Sequence, residues 1–181
     1  MFEPKAQTIL DKKDGRLMKI GLRRPALTGI LVLAALALPM QAAASDQVPF
    51  KAAETGTFQM SGQCEPSGLV LDVSGTGDAT QLGHYTAHYR ECFDPATGVV
   101  TAGSFTLTAA NGDKVFGTYS GQVSPTGDPS VIAFEDPGVV TGGTGRFADA
   151  GGTLTQSGVA NLATGGYTAT LSGSLSSPVL P

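Results

Sequence analysis

Few side chains in this sequence stand at spacings that chemistry needs. Both histidines fall in one alternating run, where His84, Thr86, His88 and Arg90 interleave with Tyr85, Ala87, Tyr89 and Glu91. In a strand the first set occupies one face and the second set the other. At about 3.3 Å per residue the two imidazoles stand roughly 13 Å apart, too far to share a metal ion. If the tyrosine face is the core, the His/Arg face is solvated; if the interior is polar, His88 and Arg90 meet a ligand. The acids Glu135 and Asp136 run into Pro137-Gly138, which reads as a strand break with the carboxylates in a solvated turn, not as a catalytic pair. No G-x-S-x-G elbow nominates a serine nucleophile, and no loop has the ligand spacing of an EF-hand. These patterns predict no catalytic residue, no metal site and no cofactor.

Cys64 and Cys92 are the two cysteines of the chain. They form no C-x-x-C and have no further metal ligands nearby at suitable spacing, so the pair reads as a structural disulfide. The compartment follows from the N-terminal part. Residues 28–39 (TGILVLAALALP) are uncharged, with Lys19, Arg23 and Arg24 before them and Gln41-Ala42-Ala43-Ala44-Ser45 after. A basic start, a short apolar stretch and a small-residue site make a secretory signal peptide over 18–44, cleaved between Ala44 and Ser45. The apolar stretch is well short of the roughly 20 residues that span a bilayer. Residues 1–17 precede an already complete signal; they read as an overextended start, with Met18 the alternative initiator to Met1, or as a long n-region. A periplasmic or secreted bacterial protein is expected.

Removing 44 of the 181 residues leaves 137, enough for one core. Four basic residues (Lys51, Arg90, Lys114, Arg146) face twelve acids there, a net charge of about −8. Scattered cations in so acidic a domain argue against nucleic acid and against anionic membrane surfaces.

The elements that must position these residues have period two. Tyr167, Ala169, Leu171, Gly173 and Leu175 alternate with Thr168, Thr170, Ser172, Ser174 and Ser176, the mark of a half-buried strand. Similar alternation and intervening turn residues predict eight strands, near 54–63, 68–75, 82–92, 98–110, 113–123, 130–142, 150–158 and 166–176, with a short segment 45–53 before them and a tail 177–181 after. Asn111-Gly112 between two alternating runs predicts a tight I′ hairpin turn. Eight short sequential strands with no sustained 3.6 period favour an all-β, antiparallel, closed barrel, which leaves no edge exposed. Lack of tryptophan, of aromatic girdles and of a suitable terminus argues against an outer-membrane barrel.

The most distinctive string is VTGGTGRFADAGG at 140–152. It resembles the G-G-T-G-R-F-x-x-A-x-G segment of the allene oxide cyclase and dirigent-type barrels, and more closely that of small exported bacterial proteins that look like them. The strings GDATQLG at 77–83 and FTLTAANGD at 105–113 are similar to the same bacterial group. The resemblance covers about residues 54–176 and implies an eight-stranded antiparallel barrel with a lined interior. The family's active-site motifs are not found in this chain, so no catalytic residue is carried over. From the residues themselves, Gly142, Gly143, Gly145, Gly151 and Gly152 permit positive φ and close backbone approach, and Phe147 is the one large group available to plug a barrel end. No Gly-Lys-Ser/Thr follows, so the string is not a phosphate loop. Arg146 either pairs with a neighbouring acid or anchors a ligand carboxylate. The expected function is a non-catalytic binding or structural barrel; the alternative is a barrel acting on a small hydrophobic molecule, as the resemblance allows.

Overall fold

The computed structural model describes residues 46–176; the segments 1–17 and 18–44, the Ala44–Ser45 cleavage point and the tail 177–181 lie outside the described residues. Eight strands follow in chain order: β1 (Gln47–Cys64), β2 (Gly68–Ala79), β3 (Gly83–Phe93), β4 (Val99–Ala109), β5 (Lys114–Pro125), β6 (Val131–Gly143), β7 (Gly152–Asn161) and β8 (Gly166–Ser176). Each pairs antiparallel with the next, and β8 returns to β1, so the meander closes into a barrel.

Closure explains why β1 is longer than its alternation predicts. Its first part, from Gln47, pairs with β8, and from Ala52 it also pairs with β2. The residues expected as a short leading segment are therefore wall. Phe50, Ala52 and Glu54 alternate inward there, and an acid at an inward position conceals the apolar period. Pro49, which has no N–H to give, sits where β1 has only β8 beside it.

The hairpin at 111–112 forms with a different turn. Gly112 has φ +89°, but Asn111 is not at positive φ, so the I′ geometry is absent. Ala109 N–H bonds to Asp113 O at 2.9 Å and Gly112 N–H to Ala109 O at 2.9 Å, enclosing a three-residue loop with glycine in its last position. The Asn111 side chain folds back to accept from Asp113 N–H at 3.1 Å, an Asx turn within the loop.

The barrel has two unlike ends. At the end where the even-numbered strands finish, Phe50, Tyr85, Leu107, Val115, Phe147 and Leu175 are packed out of solvent. Phe147 sits in a 3₁₀ turn, Gly145–Phe147, whose first residue needs φ +59°. Gly142 and Gly143 end β6, Gly151 precedes β7 and Gly152 begins it, so the glycine-rich string turns the chain over this closed end. At the other end Cys64 and Cys92 are bonded, their Cα atoms 6.1 Å apart, tying the end of β1 to the end of β3.

Candidate functional site

Strand β3 decides which side chains reach the interior. Tyr85, Ala87 and Tyr89 are buried, whereas His84, His88 and Arg90 are on the outer face. Arg90 Nη1 pairs there with Asp72 Oδ1 at 2.7 Å, and His84 Nδ1 lies 3.3 Å from Asp78. Arg146 is at the closed end. Its Nε stands 3.4 Å from Asp113 Oδ2 without hydrogen-bond alignment, and its guanidinium covers the Phe147 ring at 4.9 Å. The structure thus brings none of His88, Arg90 and Arg146 together, and none lines an interior pocket.

The interior holds a different set. All four tyrosines of the chain donate their hydroxyls to carboxylates inside the wall. Glu54 of β1, 3% exposed, accepts from Tyr85 at 2.8 Å, from Tyr89 at 2.9 Å and from Tyr167 of β8. Gln156 Nε2 of β7 approaches the same carboxylate at 3.5 Å. Burial, then the Glu54 charge, pushes the Tyr85, Tyr89 and Tyr167 phenols well above their ordinary range, so they remain donors at neutral pH. This belt separates the packed end from the open one.

Above it Glu91 of β3 accepts from Tyr119 of β5 at 2.5 Å. Burial raises the Glu91 carboxyl, and the tyrosine bond partly opposes the rise. Asp136 corrects the reading of residues 135–138 as a strand break. They continue through β6, Glu135 outward and Asp136 inward at 7% exposure. The pairing of β5 with β6 skips Ser120–Gly121 and Asp136–Pro137, where Pro137 has no N–H to donate. In that gap the Asp136 carboxylate packs against Gly121, and a Cβ on Gly121 would land on Oδ1. Asp136 Oδ1 has no hydrogen-bond partner. Burial first, then the charges of Glu91 and Glu135, pushes its carboxyl up to about 7.

These groups form the base of a pocket of about 80 Å³ at the disulfide-tied end. The walls are Phe58, Leu71, Val73, Phe93, Val100, Val123, Ile132, Phe134, Ala160 and Leu162; Tyr89, Glu91, Tyr119, Asp136, Gln156 and Tyr167 supply the polar part. A deeper void of about 20 Å³ shares Tyr89, Tyr119, Asp136 and Gln156, so these side chains stand between the two spaces. The larger has room for several waters or one small organic group, the smaller for a single water. Among the described residues no cluster of three or more His, Cys, Asp or Glu could hold a metal ion.

Sequence reasoning missed Glu54, Asp136 and the tyrosine hydroxyls as a set. One signal was legible: Glu91 shares a face with Tyr85 and Tyr89, and an acid on an apolar face is informative. Comparison of the chain with protein-family models, curated proteins and solved structures returned no match.

Proposed function

We propose that this barrel is an exported, non-catalytic binding protein that takes a small, largely apolar molecule into its open end. The observation that carries the reading is the pocket itself: ten apolar side chains around a few convergent polar groups, above a closed and packed base. The neutral dye N-phenyl-1-naphthylamine tests it. Fluorescence that rises saturably with the parent protein and is lost in Leu71→Trp, with unchanged melting, is the expected result. Absence of saturable binding, or equal binding by the variant, overturns it.

A second reading follows from the resemblance to allene oxide cyclase and dirigent-type barrels, that of an enzyme acting on a small hydrophobic substrate. It is favoured by Asp136, whose carboxyl at about 7 is matched to proton transfer near neutral pH. A bound apolar compound recovered chemically changed, with the change lost in Asp136→Asn, would establish this reading over the first.

The disulfide fits an oxidising compartment, and we assign the protein to the periplasm or the extracellular medium. Intact mass of exported material is expected to correspond to a chain starting at Ser45; one retaining residues 28–39 overturns the cleavage.

A further inference from the structure

The base of the pocket is rich in acceptors and poor in donors. Every tyrosine hydroxyl around it is committed to a carboxylate, Tyr89 and Tyr167 to Glu54 and Tyr119 to Glu91. Gln156 turns its amide toward Glu54. Asp136 is nine-tenths buried and lines the pocket, and its Oδ1, turned out of solvent against Gly121, has no partner. Such a buried, unpaired acceptor is costly, and a carboxyl that turns toward a donor in the pocket is relieved of that cost.

Charge points the same way. The titratable groups lining this space are Tyr89 and Glu91 from β3, Tyr119 from β5, Asp136 from β6 and Tyr167 from β8, with Glu54 of β1 behind Tyr89 and Tyr167; β2, β4 and β7 contribute none. Lys51, Arg90, Lys114 and Arg146, the basic residues among those described, do not line it. Two carboxyls therefore line the space and a third lies behind its tyrosines, with no cation of the protein among them. A carboxylate ligand would add a further anion, and an alcohol would satisfy one acceptor without balancing charge.

We propose that the pocket selects a small organic cation, an amine whose ammonium is held at Asp136 and Glu91 and whose apolar tail runs out along Val73, Val123 and Phe134. The inference rests on the binding reading above and gives that ligand its chemical class. The amine enters protonated. Asp136, whose carboxyl burial raises to about 7, gives up the proton it holds to become the counterion, so binding at pH 7 releases protons.

Calorimetric titration of the purified protein with 1-octylamine, 1-octanol and octanoate at pH 7, in two buffers of different ionisation enthalpy, tests this. Octylamine is expected to bind at least about tenfold more tightly than octanol, the scale of one charge-assisted bond, with net proton release, and octanoate more weakly than either. Asp136→Asn should bring octylamine to the level of octanol and abolish the proton release. Leu71→Trp should weaken the amine and the alcohol alike. Octanol or octanoate binding as tightly as octylamine overturns the cation inference and leaves the pocket standing. Octylamine binding that persists in both variants is surface association, and it overturns the inference too. If none of the three binds, the binding reading itself fails.

Discussion

Replacing Glu54 with glutamine keeps the side-chain shape and removes the charge that three tyrosine hydroxyls share. In the parent, Tyr85, Tyr89 and Tyr167 all donate to this one carboxylate. Hydrogen bonds to a charged group contribute about 1.5–3 kcal/mol and neutral ones about 0.5–1.5, so the loss is about 1 kcal/mol per bond, or about 3 kcal/mol for the three. Glutamine also places an NH₂ where one carboxylate oxygen accepted, which forces at least one hydroxyl to turn and accept. For a domain of this size the cost corresponds to a fall in melting temperature of roughly 10–15 °C. Thermal unfolding followed by circular dichroism measures it. A second variant isolates the cause: Glu54→Leu alone strands three buried hydroxyls, while Glu54→Leu with Tyr85→Phe, Tyr89→Phe and Tyr167→Phe removes both sides of each bond. The quadruple variant should be the more stable of the two, because unsatisfied donors cost more than absent ones. A Glu54→Gln melt within about 2 °C of the parent, or a quadruple variant less stable than Glu54→Leu, refutes the tyrosine belt as a stabilising element.

At the closed end, Phe147→Ala should cost about 3–5 kcal/mol, since the ring is 1% exposed; Arg146→Ala, a partly exposed ion pair, should cost about 1 kcal/mol or less. Thermal melts of the two that coincide would refute the plug. Replacing Cys64 and Cys92 by serine frees a loop with a sequence separation of 28 and should cost about 3–4 kcal/mol in the chain-entropy model, read by denaturant unfolding. Asp136 sets a pH dependence. Its carboxyl is raised from 3.8 to about 7, so between those values the folded state keeps a proton that the unfolded chain has released. Stability therefore falls as pH rises from about 4 to about 7, by up to about 4 kcal/mol, and is level above. Glu91, raised by burial, slopes the same way. Denaturant midpoints of the parent and Asp136→Asn at pH 4.5 and 8 should show a shallower slope in the variant, and equal slopes would refute the assignment.

Much of the architecture is carried by local pattern. Period two states which side chains share a face, and turn residues mark where each run stops, so eight strands and their order are legible before any contact is known. The two faces of β3 are legible too, Tyr85 and Tyr89 on one and His88 and Arg90 on the other, because alternation is a property of neighbouring residues in one strand. Which face turns inward the sequence leaves open, and the closed barrel decides it for the tyrosines. The pairing of Cys64 with Cys92 follows from there being only two cysteines.

The inward acids needed the tertiary structure. Glu54 is tolerated because Tyr85 and Tyr167, 31 and 113 residues away, arrive from other strands to solvate it. No window around Glu54 contains those donors, and alone it reads as an interruption of an apolar face. The same holds for Asp136. A proline and glycine beside two acids signal a turn locally, yet β7 pairs straight through the segment and holds it extended, and Gly121 of β5 leaves the space the carboxylate occupies. A strand's periodicity determines the direction of a side chain. What it meets is determined by closure, which places residues from six strands around one pocket base. Fold class is therefore local information repeated eight times, whereas the site is a coincidence of distant residues that only the closed barrel creates.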